Sequence, residues 1–160
     1  MDAIEYLTGQ HREIDQLFEE VAGAEPDDKL RLFETLADRI AIHAAVEERV
    51  FYPAVMTAGT EELLQGSVQE HLEHKRLLAV LMEAEEDEAL FDSVMRELAS
   101  AVRDHVHAEE QELFPAVRAL FDDPTLDQLC EAMQEVAADL DREGTPRESL
   151  PLGTDRPAPL

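Results

Sequence analysis

Read for the spacing of its apolar positions, the chain resolves into helical stretches parted by short polar breaks. Ile4, Leu7, Ile14 and Phe18 recur three and four residues apart, which puts them on one face of an α-helix. They predict a first helix from about Asp2 to Val21, with Gly23 and Pro26 beyond its end. A second helix starts near Asp27 or Asp28, whose carboxylates suit the free N–H groups of a helix start. It carries Leu36, Ile40 and Val50 on one stripe until Pro53 bends or ends it. After a break at Thr57 to Thr60, a third helix runs to about Glu83 with Leu64, Val68 and Leu78 inward, and a fourth takes Glu88 to Leu120 with Met95, Leu98 and Val102 inward and Pro115 near its end. Asp123-Pro124 reads as a cap followed by a first-turn proline and predicts a short fifth helix to about Leu140. Past Asp141, the stretch GTPRESLPLGTDRPAPL holds four of the eight prolines and two of the six glycines. It has little to bury, and a mobile tail is expected.

One pattern is written twice. HAAVEERVFYPAV (His43 to Val55) returns as HVHAEEQELFPAV (His105 to Val117), 62 residues later. His11 to Phe18 aligns more loosely with His71 to Leu78, at an offset of 60. Helices one and two therefore read as a copy of helices three and four: two αα-hairpins about a pseudo-twofold axis. The predicted fold is all-α, an up-down-up-down four-helix bundle over residues 1–121, a short additional helix over 122–142 and a flexible Pro-rich tail over 143–160.

The apolar stripes carry polar residues. Each residue turns an α-helix by about 100°, so His43 and Glu47, four apart, face the same way, and they lie on the line of Leu36, Ile40 and Val50. His105 and Glu109 share the line of Leu98 and Val102, while His11 and His71 sit among the apolar positions of their own helices. Four imidazoles and two carboxylates are thus expected inside the core, where an uncompensated carboxylate costs several kcal/mol. Protonated carboxylates or carboxylate–imidazolium pairs would offset this. So would two metal ions, since imidazole and carboxylate together suit Fe, Mn or Zn, and a carboxylate spans two ions about 3.5 to 4 Å apart. Opposed Glu47 and Glu109 fit that bridging role.

The twice-occurring H-x-x-x-E-E-x-x-[FL]-[FY]-P resembles the hemerythrin-type domain of the HHE cation-binding family over about Asp2 to Leu120. The resemblance implies a four-helix bundle with a non-haem di-iron centre, in which His11, His43, His71 and His105 are terminal ligands and Glu47 and Glu109 bridge two iron ions. It further implies a small redox ligand: O2, hydrogen peroxide or NO. The chain departs from oxygen-carrying members in two places. Where they have a second histidine four residues after the third-helix histidine, this chain has Lys75; where they have a bridging Asp five residues after the last histidine, it has Glu109 at four and Glu110 at five. His74 or water then completes the coordination of one iron, with a buried non-ligand role for His74 left open. Asp15, four residues after His11, is a ligand, an orienting group or a surface residue. Glu48, Glu110 and His107 are expected outside, and Lys75 is expected to reach outward toward surface carboxylates. Phe51, Tyr52 and Phe114 are expected in the core.

Composition narrows the function. Thirteen Lys and Arg against 38 Asp and Glu give a net charge of −25, which repels phosphate backbones and anionic lipid. Neither nucleic acid nor a membrane is expected as a partner. Cys130 is the only cysteine, so no internal disulfide forms, and MDAIEYLTGQH lacks a long apolar run; a cytoplasmic protein is expected. No E-x-x-H, H-E-x-x-H or Gly-rich phosphate loop occurs, against ferritin-like storage, zinc hydrolysis and nucleotide chemistry. Turnover of peroxide as in a catalase, reduction of NO, and binding or sensing without turnover remain open.

Overall fold

The computed structural model describes residues 1–160 and contains helices only. Helix α1 (Ala3–Ala22) starts at Asp2, whose carboxylate accepts the N–H groups of Ile4 at 2.8 Å and Glu5 at 2.9 Å while Glu5 accepts the N–H of Asp2. That reciprocal pair satisfies N–H groups that a helix start leaves free. Helix α2 (Pro26–Val46) opens on a proline, and Asp27 and Asp28 fall in its first turn. It runs without a break through a π-helical turn, Glu47–Phe51, into a last α-helical turn, α3 (Tyr52–Val55). Thr60 then ties the connection: its hydroxyl donates to the Val55 carbonyl at 2.7 Å and accepts the Thr57 N–H at 2.9 Å. Helix α4 (Glu61–Glu83) leads to α5 (Glu88–Ala108), a second π-helical turn, Glu109–Leu113, and α6 (Phe114–Leu120). The two halves therefore repeat to the level of the π turn.

The four long rods form the predicted bundle, α1 packing on α2, α4 on α5 and α1 on α5. Its interior holds two separate apolar clusters. Ile14, Leu17 and Phe18 of α1 meet Phe33 to Ile40 of α2, Leu78 and Leu81 of α4 and Phe91 to Leu98 of α5. Ala3, Ile4 and Leu7 meet Val46, Phe51, Tyr52, Leu64, Val68, Leu113 and Phe114. On every rod the histidines fall in the gap between the two.

The additional C-terminal helix forms where it is expected, to within a residue, and the expectation for the tail is corrected. The fifth helix, α7 (Asp123–Glu143), is as long as the bundle rods. It packs on α1 and α2 through Leu126, Cys130 and Met133, all buried. Its cap is Asp122, one residue earlier than expected, accepting the Thr125 N–H at 3.0 Å, and it ends at Gly144, whose φ of 131° suits a residue without a Cβ. The Pro-rich segment is not free of contacts: Pro146–Gly153 forms a 3-10 helix laid against α2 and α4. The composition argument missed one residue, Leu150, which is 2% exposed and belongs to the first apolar cluster.

Leu150→Ala is expected to cost about 2 to 5 kcal/mol, as a buried Leu truncation does, measured by urea unfolding. Asp2→Ala is expected to cost about 1 kcal/mol through loss of the cap. Burial raises the Asp2 pKa, but its hydrogen bonds to Glu5, Arg118 and Ile4 hold it below the ordinary value overall. Its contribution is therefore full above the unfolded-chain Asp pKa and fades as pH falls through the lowered one. The difference in stability between wild type and Asp2→Ala should shrink in acid.

Candidate metal centre

The repeated motif explains its own local structure. A proline inside an α-helix clashes with the carbonyl four residues back and offers it no N–H; for Pro53 and Pro115 those carbonyls belong to Arg49 and Gln111. Both lie in the π turns, where the Tyr52 and Phe114 N–H groups reach back five residues to the carbonyls of Glu47 and Glu109. The wider turn lets each rod pass its proline. It also rotates less per residue than an α-helix, so the residue after each inward glutamate is drawn toward the interior. Glu48 and Glu110, expected on the outside, are accordingly part-buried and face histidines.

The six residues singled out as metal-ligating converge. His11, His43, Glu47 and Glu109 bring one ligand-type atom each to within 4.8 Å of one another, as do Glu47, His71 and His105, so Glu47 belongs to both groups. Glu109 also reaches across, its Oε1 lying 2.8 Å from His105 Nε2 and 3.5 Å from His11 Nε2. All six are 6% exposed or less. The two further candidates lie apart from these groups. His74 is buried, its ring centroid 5.3 Å from that of His105; burial and the neighbouring His105 and His71 depress its pKa to about 2, leaving it neutral. Asp15 is half-exposed and paired with Arg103 at 2.8 Å. His107 lies outside, as expected.

Around the six stands a ring of acceptors that sequence reading did not assign. His11 Nδ1 bonds Glu110 at 3.0 Å, His71 Nδ1 bonds Glu48 at 2.9 Å, His43 Nδ1 bonds Gln10 at 2.8 Å and His105 Nδ1 bonds Glu70 at 3.2 Å. The pairs obey the pseudo-twofold: Gln10 precedes His11 as Glu70 precedes His71, and Glu48 follows Glu47 as Glu110 follows Glu109. That regularity was the available signal. Because each partner atom accepts, the Nδ1 carries the hydrogen, and a neutral ring turns the Nε2 lone pair inward. The result is a core of converging lone pairs. His11 Nε2, His43 Nε2 and Glu47 Oε1 are buried with no hydrogen-bond partner, and Glu109 Oε1 has only the approach of His105 Nε2 at 2.8 Å, a cost that a native fold rarely leaves uncompensated. Two nitrogens and two carboxylate oxygens, dry and close, are a donor set that fits a cation such as iron.

The electrostatics point the same way. Burial and the charge of Glu109 raise the Glu47 pKa, whereas Glu109 is held well below the ordinary range because His105 and His11 outweigh its burial. Burial most of all, and then His11, pushes His43 well down. For His105 burial is outweighed by the charge and hydrogen bond of Glu109, and its pKa rises well above the usual value. Positive charge is thus demanded inside the site, and in its absence protons must be shared unequally.

The two halves are not equivalent. Tyr52 stands where the other repeat has Phe114. Its hydroxyl donates to Glu47 Oε2 at 2.9 Å, with Glu109 Oε2 and His71 Nε2 each at 3.2 Å. Burial, then the charges of Glu109 and Glu47, raise its pKa well above the ordinary phenol value, so the proton stays on Oη. Lys75, expected to reach outward, instead donates to both oxygens of Glu48 at 2.8 and 2.9 Å and is largely buried. A cavity of about 20 Å³ is walled by His11, His43, His71, His74, His105 and Lys75 among others, room for about one water molecule. A larger cleft, about 540 Å³ among Phe18, Lys29, Met95 and Arg103, shares no residue with the six.

Known proteins place this architecture. The fold matches the crystal structure of a hemerythrin HHE cation binding domain-containing protein from Mycobacterium kansasii with a TM-score of 0.80, at 21% identity, covering 96% of this chain and 99% of that one. A DNA nickase of Nostoc sp. is 31% identical over 119 residues, 74% of this chain; the match spans 34% of that protein, about a third of its length. The family profile of the hemerythrin HHE cation binding domain matches residues 2–117, a stretch that contains all six converging residues and both π turns, and the chain belongs to that family.

Proposed function

We propose that this protein is a non-haem di-iron protein that handles a small redox ligand, with hydrogen peroxide as the favoured one. The observation that carries the reading is the convergence of four buried donor atoms on His11, His43, Glu47 and Glu109, those of His11, His43 and Glu47 without a hydrogen-bond partner, beside a second group that shares Glu47. One ion would be held by His11 and His43, the other by His71 and His105, with Glu47 and Glu109 spanning both. Two iron ions held there would supply Lewis acidity and a redox couple for a ligand of two or three heavy atoms.

The chain's own residues do the rest. Glu110, Gln10, Glu48 and Glu70 fix the four rings, so that each Nε2 faces the centre without rearrangement. The apolar clusters on either side keep bulk water away. Tyr52 holds a proton at Oη beside both bridging carboxylates, and Lys75 holds protons at Nζ on the far side of Glu48. These two proton carriers, with Lys75 where an oxygen carrier would have a histidine, favour peroxide chemistry over reversible oxygen carriage. Dismutation needs no outside reductant: two peroxides give one dioxygen and two waters. A nucleic-acid role like that in the name of the Nostoc protein is disfavoured by the charge of −25. No helix is long and apolar enough to cross a membrane.

Protein reconstituted with iron and desalted is expected to carry two irons per chain by metal analysis. Glu47→Ala and Glu109→Ala should each lose both, and His107→Ala should lose neither. Glu48→Ala is expected to retain the site but bind metal about 10- to 100-fold more weakly, since His71 loses its orienting partner. Because the ions bind only the folded chain, iron should raise stability by about 4 kcal/mol per ion, about 8 kcal/mol for the pair, when free metal exceeds the dissociation constant a thousandfold. Equal melting temperatures with and without iron would show that the polar layer is complete by itself. Iron-loaded wild type should evolve oxygen from hydrogen peroxide above the level of Glu109→Ala; no difference would leave binding or sensing as the function.

A further inference from the structure

We propose that Pro146–Gly153 is a strap that closes one seam of the bundle over the metal centre, and that Leu150 sets the size of the ligand that enters. The proposal rests on the di-iron reading above.

The pseudo-twofold makes the α1/α5 seam the counterpart of the α4/α2 seam, yet the two are sealed differently. Along the first, the helices meet directly, Arg103 of α5 bonds Asp15 at 2.8 Å and Glu19 at 2.7 Å on α1, and a surface cleft of about 260 Å³ runs between them down to His11 and Glu110. Along the second, α2 and α4 scarcely pack on each other; Glu48, in the π turn that continues α2, reaches His71 and Lys75 of α4, and the strap lies against both helices beside that link. Leu150 enters that gap. It packs in the cluster with Ile14, Ile40 and Leu78 and forms part of the wall of the small cavity that also contains His43, His71, His74 and Lys75. One wall of the centre is therefore the side chain of a segment outside the four rods.

The strap is held at points rather than along its length. Arg147 donates its backbone N–H to Asp38 at 2.9 Å and its guanidinium to Asp38 at 2.8 Å and Glu34 at 3.4 Å, all on α2. At the other end Arg76 of α4 donates to the Thr154 carbonyl at 3.0 Å. A Cβ on Gly153 would stand 3.1 Å from Lys75 Cδ, so the strap rests on the lysine that Glu48 holds at the cavity. Between these anchors is a 3-10 helix containing Pro151, whose hydrogen bonding is weaker than that of the rods, and the segment starts just after Gly144. Such a segment opens locally at less free energy than the bundle unfolds. Opening it withdraws Leu150 and uncovers the side of the centre bearing His71, His74 and Lys75. With Leu150 seated, a ligand the size of azide or peroxide is admitted and one the size of imidazole is excluded.

The test uses iron-loaded full-length protein, wild type against Arg147→Ala, Leu150→Ala and Arg103→Ala, with iron content and helix content measured first. Three readouts follow: the rate at which iron passes to a ferrous chelator after reduction, the rate of the azide-induced change in the visible spectrum, and whether imidazole perturbs that spectrum. Arg147→Ala and Leu150→Ala are expected to speed iron loss and azide entry at least tenfold. Leu150→Ala should admit imidazole, and Arg103→Ala, at the α1/α5 seam, should match wild type; faster azide entry in Arg103→Ala alone would put the entrance at that seam and overturn the strap. Should Leu150→Ala fail to fold, Arg147→Ala, whose change leaves the apolar cluster intact, decides the matter. Two irons per chain with equal rates in wild type and Arg147→Ala overturn the strap. A wild type that binds no iron overturns the di-iron reading and the strap proposal with it.

Discussion

Everything in this bundle accommodates one layer: four imidazoles and two carboxylates buried across its middle, each 6% exposed or less. An apolar core tolerates such a layer only if every polar atom is given a partner. The outward atoms have theirs. Each Nδ1 is bonded to a side-chain oxygen from a neighbouring rod, and those bonds tie the rods to one another. The inward atoms have mostly one another, which is why the layer demands positive charge at its centre. The split of the core into two apolar clusters follows from the same constraint.

The π turns belong to this constraint as well. A straight α-helix through Glu47 would send Glu48 to solvent and run its Pro53 into a carbonyl. The wider turn removes the clash and converts the adjacent pair Glu47-Glu48 into one inward donor and one acceptor for His71; Glu109-Glu110 does the same for His11. One proline therefore serves both backbone and site, and the motif is read as a unit for that reason.

Duplication would make two equal half-sites, and this chain has altered one of them. Tyr52, His74 and Lys75 gather on the His71 side, and the pseudo-twofold counterparts of the three are Phe114, Ile14 and Asp15. The strap covers that same side. A proton at Tyr52 Oη, an ammonium on Glu48 and the strap are grouped on the His71 side, while on the other side the helices meet directly beneath a surface cleft spanned by ion pairs.

The bundle, its internal repeat and the convergence of His11, His43, Glu47, His71, His105 and Glu109 were determined by the sequence alone, because helical periodicity is local: residues four apart share a face whatever surrounds them. Fates set by a partner far along the chain were decided by tertiary structure. Glu48 and Glu110 were misjudged because 100° per residue holds only for an α-helix, and the π turn alters the angle. Asp15 and Lys75 occupy equivalent positions, yet one pairs with Arg103 on the surface and the other with Glu48 inside. Nothing local separates them. The fifth helix carried a regular apolar stripe, but the docking of Pro146–Gly153 hangs on one leucine meeting a seam that exists only once α2 and α4 have assembled. Composition counts apolar residues, whereas the fold decides whether a place awaits them.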